Sequence, residues 1–264
     1  MIYNQGSEYH IHVKQGDIGR YVILPGDPGR CEAIAQYLQQ PEKVAQNREF
    51  TSWRGTLEGE MVAVTSTGIG GPSAAIALEE LVHVGADTFI RVGTCGGYHR
   101  DVLGGDLVVA TGSVRMEGTT REYMPLEFPA VADFTVTNAL VEAARQKQYR
   151  FHTGVVESKD SFYGEHEGAK KPVGYELENK RRAWIMGGVL ASEMETAALF
   201  VVGATLNVRV GAVLNVMGNQ IRRDEGLSDT IVYETQRGIE VAVEAMRRLI
   251  LADRKQMGGA KQNG

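Results

Sequence analysis

Residues 61–97 read MVAVTSTGIGGPSAAIALEELVHVGADTFIRVGTCGG. MVAVTS is a short apolar strand. TGIGGPS is a glycine-rich turn, AAIALEELVHVG has helical spacing, and DTFIRVG is a second strand that ends in TCGG. The same alternation continues outward in both directions. Upstream, the buried-strand candidate RYVIL (20–24) leads through PGDPGR (25–30) into the apolar-periodic CEAIAQYL. Asp27 can cap that helix, with Pro28 at its first position. Downstream, DLVVATGSVRMEG (106–118) alternates like one or two strands. FTVTNALVEAARQKQ (134–148) is helical and HTGVVESKDSF (152–162) strand-like. SEMETAALFVVGATLN (192–207) reads as a helix and VRVGAVLNVMG (208–218) as a strand. TIVYETQRGIEVAVEAMRRLIL (230–251) reads as a long amphipathic helix. Strands alternating with helices imply an α/β domain around a largely parallel or mixed sheet. Without repeats, linker or boundary, residues 1–264 read as one domain. The core is expected at about 10–251, and the tail ADRKQMGGAKQNG (252–264) is expected to be frayed or disordered.

Composition narrows the function. The 264 residues are 43% hydrophobic and 23% charged with a net charge of −5, which argues against nucleic acid or an anionic membrane as main partner. Two cysteines, Cys31 and Cys95, make no disulfide framework. The start, MIYNQGSEYHIHVK, lacks the pattern of a signal peptide, and no apolar run approaches the length of a membrane span. The expectation is a cytoplasmic soluble protein. Glycine is in excess: 32 residues, about 12% against a usual 7%. The glycines cluster in loops after apolar runs.

Each candidate motif has two readings. PGDPGR is either a tight turn with a helix cap or an anion site, in which Gly26 allows close approach to a helix N-terminus and Arg30 adds charge. In FIRVGTCGG (89–97), Arg91 interrupts an apolar strand. It is either a core ion pair or, with Thr94, a ligand contact at a strand's carboxyl end. TSTGIGGPS (65–73) satisfies neither the dinucleotide fingerprint nor the P-loop. In SEMET (192–196), Ser192 and Glu195 fit a capping box, and spacing favours that reading over a carboxylate that binds a sugar diol. Arg48 in NREFTSW, His10 and His12 are uninformative alone. KDSFYGEHEGAKKP (159–172) is too polar for a core segment and too varied for a generic loop.

Taken in order, PGDPGR, NREFTSWRG, TSTGIGGPS, FIRVGTCGG, PLEFPAVADF (125–134) and SEMETAALF resemble the nucleoside phosphorylase-I superfamily, and within it the uridine phosphorylase branch. The likeness runs from about His10 to Leu251. It implies a single-domain, three-layer fold with a central mixed sheet flanked by helices. It also implies a homohexamer, a trimer of dimers that shares active sites between subunits. The implied activity is phosphorolysis of a nucleoside to free base and ribose 1-phosphate, with inorganic phosphate as co-substrate and no organic cofactor. Phosphate would meet the Gly26 amide, Arg30, Arg91 and Thr94, and Arg48 from the neighbouring subunit. Met194 and Glu195 would hold the ribose, with the partner's equivalent of His10 at the 5′-hydroxyl. Phe162 would stack on base or sugar. Arg30, Arg91 and Glu195 would carry the catalysis. Glu49, Ile69 and Ser73 match positions that hold K+ at a dimer interface in some members.

The resemblance weakens at the base. The branch places a Gln and an Arg after the FY pair, whereas here Glu165 occupies the Gln position and Gly168 or Lys170 the Arg position. Gln220 replaces a later Arg. An ionised Glu165 only accepts hydrogen bonds. Either it is protonated by burial and mimics Gln, or it suits a guanine or cytosine edge, with His166, Lys170 or Gln220 as donors. Uridine phosphorolysis therefore leads, ahead of a purine or cytidine phosphorylase, then a nucleosidase or a non-catalytic nucleoside binder.

Overall fold

The computed structural model describes residues 2–3 and 6–260. In chain order the elements are β1 (Ile2–Tyr3), β2 (Ser7–Glu8), β3 (Tyr21–Pro25), α1 (Gly29–Ala35), β4 (Gln39–Asn47), β5 (Phe50–Leu57), β6 (Glu60–Thr65), α2 (Gly71–His83), β7 (Thr88–Gly97) and β8 (Leu107–Met116). Then follow β9 (Ala130–Val131), α3 (Phe134–Gln146), β10 (Phe151–Lys159), α4 (Phe162–His166), α5 (Gly174–Met186), β11 (Ala191–Glu193), α6 (Thr196–Thr205), β12 (Arg209–Gly218), α7 (Gln220–Asp224) and α8 (Gln236–Ala260).

The strand RYVIL is buried on both faces, as a run without polar positions requires. It becomes β3, parallel to both β6 and β7. Its alternate side chains feed two cores. Val22 and Leu24 join Leu78 and Leu81 of α2 and Leu199 and Phe200 of α6 on one side. Tyr21 and Ile23 join Ile34 of α1, Leu140 of α3 and Val241 and Met246 of α8 on the other. The result is the expected three layers around a mixed sheet. One further pairing shapes the site. The short β11 pairs with β10 in parallel and with β7 antiparallel, so β7, β12, β8, β10 and β11 close into a ring.

Several boundaries differ from the sequence reading. Of the one or two strands read in 106–118 there is one, β8. The helix expected from Ser192 begins at Thr196, because Ser192 and Glu193 are drawn into β11 by pairing on both sides. The last helix starts at Gln236 instead of residue 230 and continues through Ala260. Asp253, in the segment expected to fray, accepts from Tyr21 Oη at 2.9 Å and from Arg209 Nη1 at 3.0 Å. Residues 261–264 of that tail lie outside the described residues. Unanticipated elements are α5 and the β4–β5 hairpin. The hairpin's two-residue tip is Arg48–Glu49, with Arg48 at φ 52. Among the described residues, no helix is long and apolar enough to cross a membrane.

Candidate active site

The glycine-rich strand ends converge on one cavity of about 830 Å³, in the position where α/β sheets present ligand sites. Gly26 follows β3, Gly93–Gly97 end β7, Lys159 ends β10, Met194 and Glu195 follow β11, and Met217 and Gly218 end β12. All line the cavity.

One end is cationic. Gly26, Arg30, Arg91 and Thr94 face it together. The helix starts one residue later than the sequence suggested, at Gly29 with Pro28 in the N-cap position and no side-chain cap; Asp27 stands just before it, its Oδ1 accepting from Gly29 N at 2.8 Å. Arg30 lies 3.9 Å from the other carboxylate oxygen. Burial lowers the Arg30 pKa, Asp27 opposes that, and the charge of Arg91 adds to it, so the two guanidiniums sit within each other's field. Arg91 is 3% exposed. It fits because Gly93 lacks a Cβ, which would stand 2.8 Å from Arg91 Nη2. Arg91 Nε donates to Glu193 Oε2 at 3.1 Å, and Nη2 reaches Glu193 and Glu195. Both alternatives for Arg91 therefore hold at once: it is a core ion pair and it lines the cavity. Burial opposes its charge, but Glu195 and Glu193 outweigh burial and raise its pKa. Its Nη1 is buried without a partner among the described residues, an unspent donor of the kind an anion satisfies.

Next to it stands Glu195. Its Oε1 accepts from Gly70 N at 2.6 Å. Burial raises its carboxyl pKa, Arg91 lowers it, and Glu193 raises it again, for a net rise. The capping box read from Ser192 and Glu195 does not form. Glu193 caps α6 instead, accepting from Glu195 N at 2.9 Å and Thr196 N at 3.0 Å, so Glu195 is free to serve the cavity. Cys95 is wall: burial pushes its thiol well above the usual range, and Sγ lies 3.7 Å from Asn215 O.

The other end is aromatic and polar. Ser161 caps α4 by accepting from Gly164 N at 2.9 Å, which presents Phe162, Glu165 and His166 to the cavity. The Phe162 and His166 ring centroids are 4.3 Å apart. Glu165 is not an isolated acceptor: Lys159 Nζ lies 2.5 Å from its Oε2, and Ser192 Oγ donates to the same oxygen at 3.1 Å. Burial pushes the Glu165 carboxyl up, but Lys159 outweighs burial and His166 assists, so it ends below the usual range. Beside Lys159 the environment favours the ionised carboxylate over the form that burial alone would protonate. Gln220 lines the cavity while its Oε1 accepts from Arg223 at 2.7 Å; Arg223, one helical turn on, lines it too.

Four expected residues stand elsewhere. Lys170 does not reach this cavity; it is 73% exposed and 3.5 Å from Glu167. His10 lines a separate cleft, its Nδ1 2.6 Å from Glu80 Oε1. Arg48 is exposed at the hairpin tip. Ser73 donates to Thr67 O at 2.6 Å, below the Ile69 and Glu49 that form the cavity rim. Sequence reasoning missed Lys159, Glu193 and Arg223 as site residues. The signal for Lys159 was available: ESK (157–159) is a polar run that continues a strand, as Arg91 is within its own, and all three residues are buried.

Comparison with known proteins gives a consistent picture. The model of the phosphorylase superfamily matches residues 20–252. A protein of Treponema pallidum named uridine phosphorylase is 56% identical over 253 residues, covering 96% of this chain and 98% of that protein. A Klebsiella aerogenes uridine phosphorylase is 41% identical, with 92% and 98% covered. A Halorubrum lacusprofundi protein named guanosine phosphorylase is 37% identical, with 91% and 98% covered.

Proposed function

The chain belongs to the phosphorylase superfamily, and on that premise we propose that it is a nucleoside phosphorylase, a pentosyltransferase that acts first on uridine. Phosphate displaces the base and leaves ribose 1-phosphate. The observation that carries this reading is the paired guanidinium wall, Arg30 and Arg91 beside Gly26 and Thr94, with a buried donor of Arg91 unspent. A cleft that fixes phosphate under C1′ turns a weak nucleophile into a positioned one, and water has no need of two arginines. Met194 and Glu195 hold the ribose; Phe162 and His166 flank the base. Glu195 leaves Arg91 and Gly70 to accept from the sugar hydroxyls as phosphate takes over Arg91.

His10 and Arg48 complete a neighbour's site in a hexamer built as a trimer of dimers. The exposure of Arg48 on a two-residue tip and the lining of the cavity by neither residue support this arrangement. Glu49 and Ser73 meet over Gly68, where a Cβ would stand 2.6 Å from Glu49 Cγ and 3.0 Å from Ser73 Oγ. With the Ile69 carbonyl they make an oxygen set suited to K+ shared between subunits. Both cysteines are free and buried, in keeping with a reducing cytoplasm.

A guanosine-cleaving reading comes second, favoured by the ionised Glu165, which can accept from both the ring N–H and the exocyclic amine of guanine. The test is turnover of uridine, thymidine, cytidine, inosine, guanosine and adenosine with and without inorganic phosphate. Uridine cleavage that requires phosphate and yields ribose 1-phosphate is expected. Base release at an equal rate without phosphate would overturn the proposal.

A further inference from the structure

We propose that the Lys159–Glu165 ion pair reads the base, and that Lys159 meets the negative charge that the departing base acquires. The inference rests on the phosphorylase reading and deepens it. Neither residue of the pair is surface-exposed: each side chain is 10% exposed, and both line the cavity. An ammonium has three donors. One goes to Glu165 Oε2 and one to Ser192 Oγ, both at 2.5 Å, and the third has no partner among the described residues. The carboxylate has about four acceptor positions, of which Lys159 takes one at Oε2; the single Ser192 hydroxyl proton lies between that oxygen at 3.1 Å and Glu157 Oε2 at 2.8 Å.

The pair is electroneutral and offers one acceptor beside one donor. That is the complement of a lactam edge, –NH–C(=O)–, whose nitrogen and oxygen lie about 2.2 Å apart by ordinary amide geometry. Uracil presents this edge at N3–H and O4, and guanine and hypoxanthine present it on their six-membered ring. Cytosine and adenine present the reverse, a bare ring nitrogen beside an amine, which would put acceptor against acceptor and donor against donor. A site built on buried polar groups rejects such a swap strongly. The lone Glu165 thus stops being a misfit for uracil once its lysine is counted.

The same ammonium has a chemical role. The C1′–N1 bond breaks with both electrons passing to the base, while a phosphate oxygen forms the new bond to C1′. The uracil anion spreads its charge to its oxo groups before water protonates it. A fixed cation at O4 is stronger there than in the ground state, which is the condition for accelerating the step.

The test uses the full chain and the variants Lys159→Arg, Glu165→Gln, and Lys159→Met combined with Glu165→Gln, which removes both charges together. Substrates are uridine, cytidine and 5-fluorouridine, whose base leaves more readily. The double variant is expected to lose about 100-fold in kcat/KM on uridine, at least several-fold less on 5-fluorouridine, and to narrow the uridine-to-cytidine ratio at least tenfold. Lys159→Arg is expected to keep more uridine activity than the double variant. Equal losses on uridine and 5-fluorouridine, or an unchanged uridine-to-cytidine ratio, would overturn the role of the pair. If the double variant does not fold, the same ratios in Lys159→Arg and Glu165→Gln decide the question. Base release by wild type without phosphate would remove the phosphorylase reading but leave the uridine-to-cytidine comparison to judge the pair.

Discussion

Arg91 is spent on one side and free on the other: two carboxylates hold Nε and Nη2, and Nη1 has no partner among the described residues. Its neutralisation by Glu193 and Glu195 keeps a buried cation tolerable until an anion arrives. Burial holds the Glu195 pKa above the usual value even though Arg91 lowers it, which has a consequence for pH. Because the folded value lies above the ordinary 4.5, stability contributed by its protonated form is present below that value and lost as pH rises through the raised one. Glu165 has the opposite sign: its contribution is present above 4.5 and is lost as pH falls below it. In the proposed role Glu195 accepts from both ribose hydroxyls as the carboxylate, so the acid limb of kcat/KM on uridine should lie above the ordinary carboxylate range. In Glu195→Gln that limb should vanish along with most activity. A limb unchanged in the variant would assign it to another group. The arginines and glycines of this site were legible in the sequence, because an arginine inside an apolar strand or a glycine before a helix is a local anomaly. The Lys159–Glu165 pair was not, because no spacing rule links the end of a strand to the helix after it.

At the scale of elements, the SEMET segment is instructive. Its S-x-x-E spacing satisfies the rule for a capping box, yet the rule assumes that Ser192 lies at a helix start. Pairing of β11 with both β10 and β7 puts Ser192 in a strand and passes the cap to Glu193. Glu193 then has three tasks: it caps α6, pairs Arg91, and accepts from Ser158 Oγ. Glu193→Ala should therefore lower stability by about 2–4 kcal/mol, the range for a lost cap together with a partly unpaired buried charge, as read by denaturant unfolding. A loss below about 0.5 kcal/mol would show that Glu195 alone suffices for Arg91. The β4 strand and α5 escaped the sequence because their burial is weak. The β4 strand is an edge with mostly exposed or half-covered residues, and α5 has one buried residue, Gly174. Apolar periodicity has little to report where little is buried.

For the whole molecule, the proposed shared sites allow a direct test. Arg48→Ala and Arg91→Ala should each be inactive alone. Subunits of the two variants, dissociated and mixed one to one, should regain roughly a quarter of wild-type sites, since half the dimers are mixed and each mixed dimer restores one site. No recovery, with exchange shown by mass, would remove Arg48 from the neighbour's site. The sequence by itself determined the layers. Alternating apolar strands and amphipathic helices can bury their faces only as a sheet between helices, and glycine turns after the strands fix where a ligand can approach. It also marked the residues of the cationic end of the cavity: Gly26 and Arg30 in the turn and helix after β3, and Arg91 and Thr94 within the apolar strand β7. Only the tertiary structure decided the base end. Closing β7, β12, β8, β10 and β11 into a ring brings Lys159, Ser192 and Glu165 within hydrogen-bonding distance. Proximity across 27 or 33 residues is set by strand register and not by local propensity. The charge state of Glu165 follows from that proximity, because burial alone would have raised the pKa that Lys159 lowers.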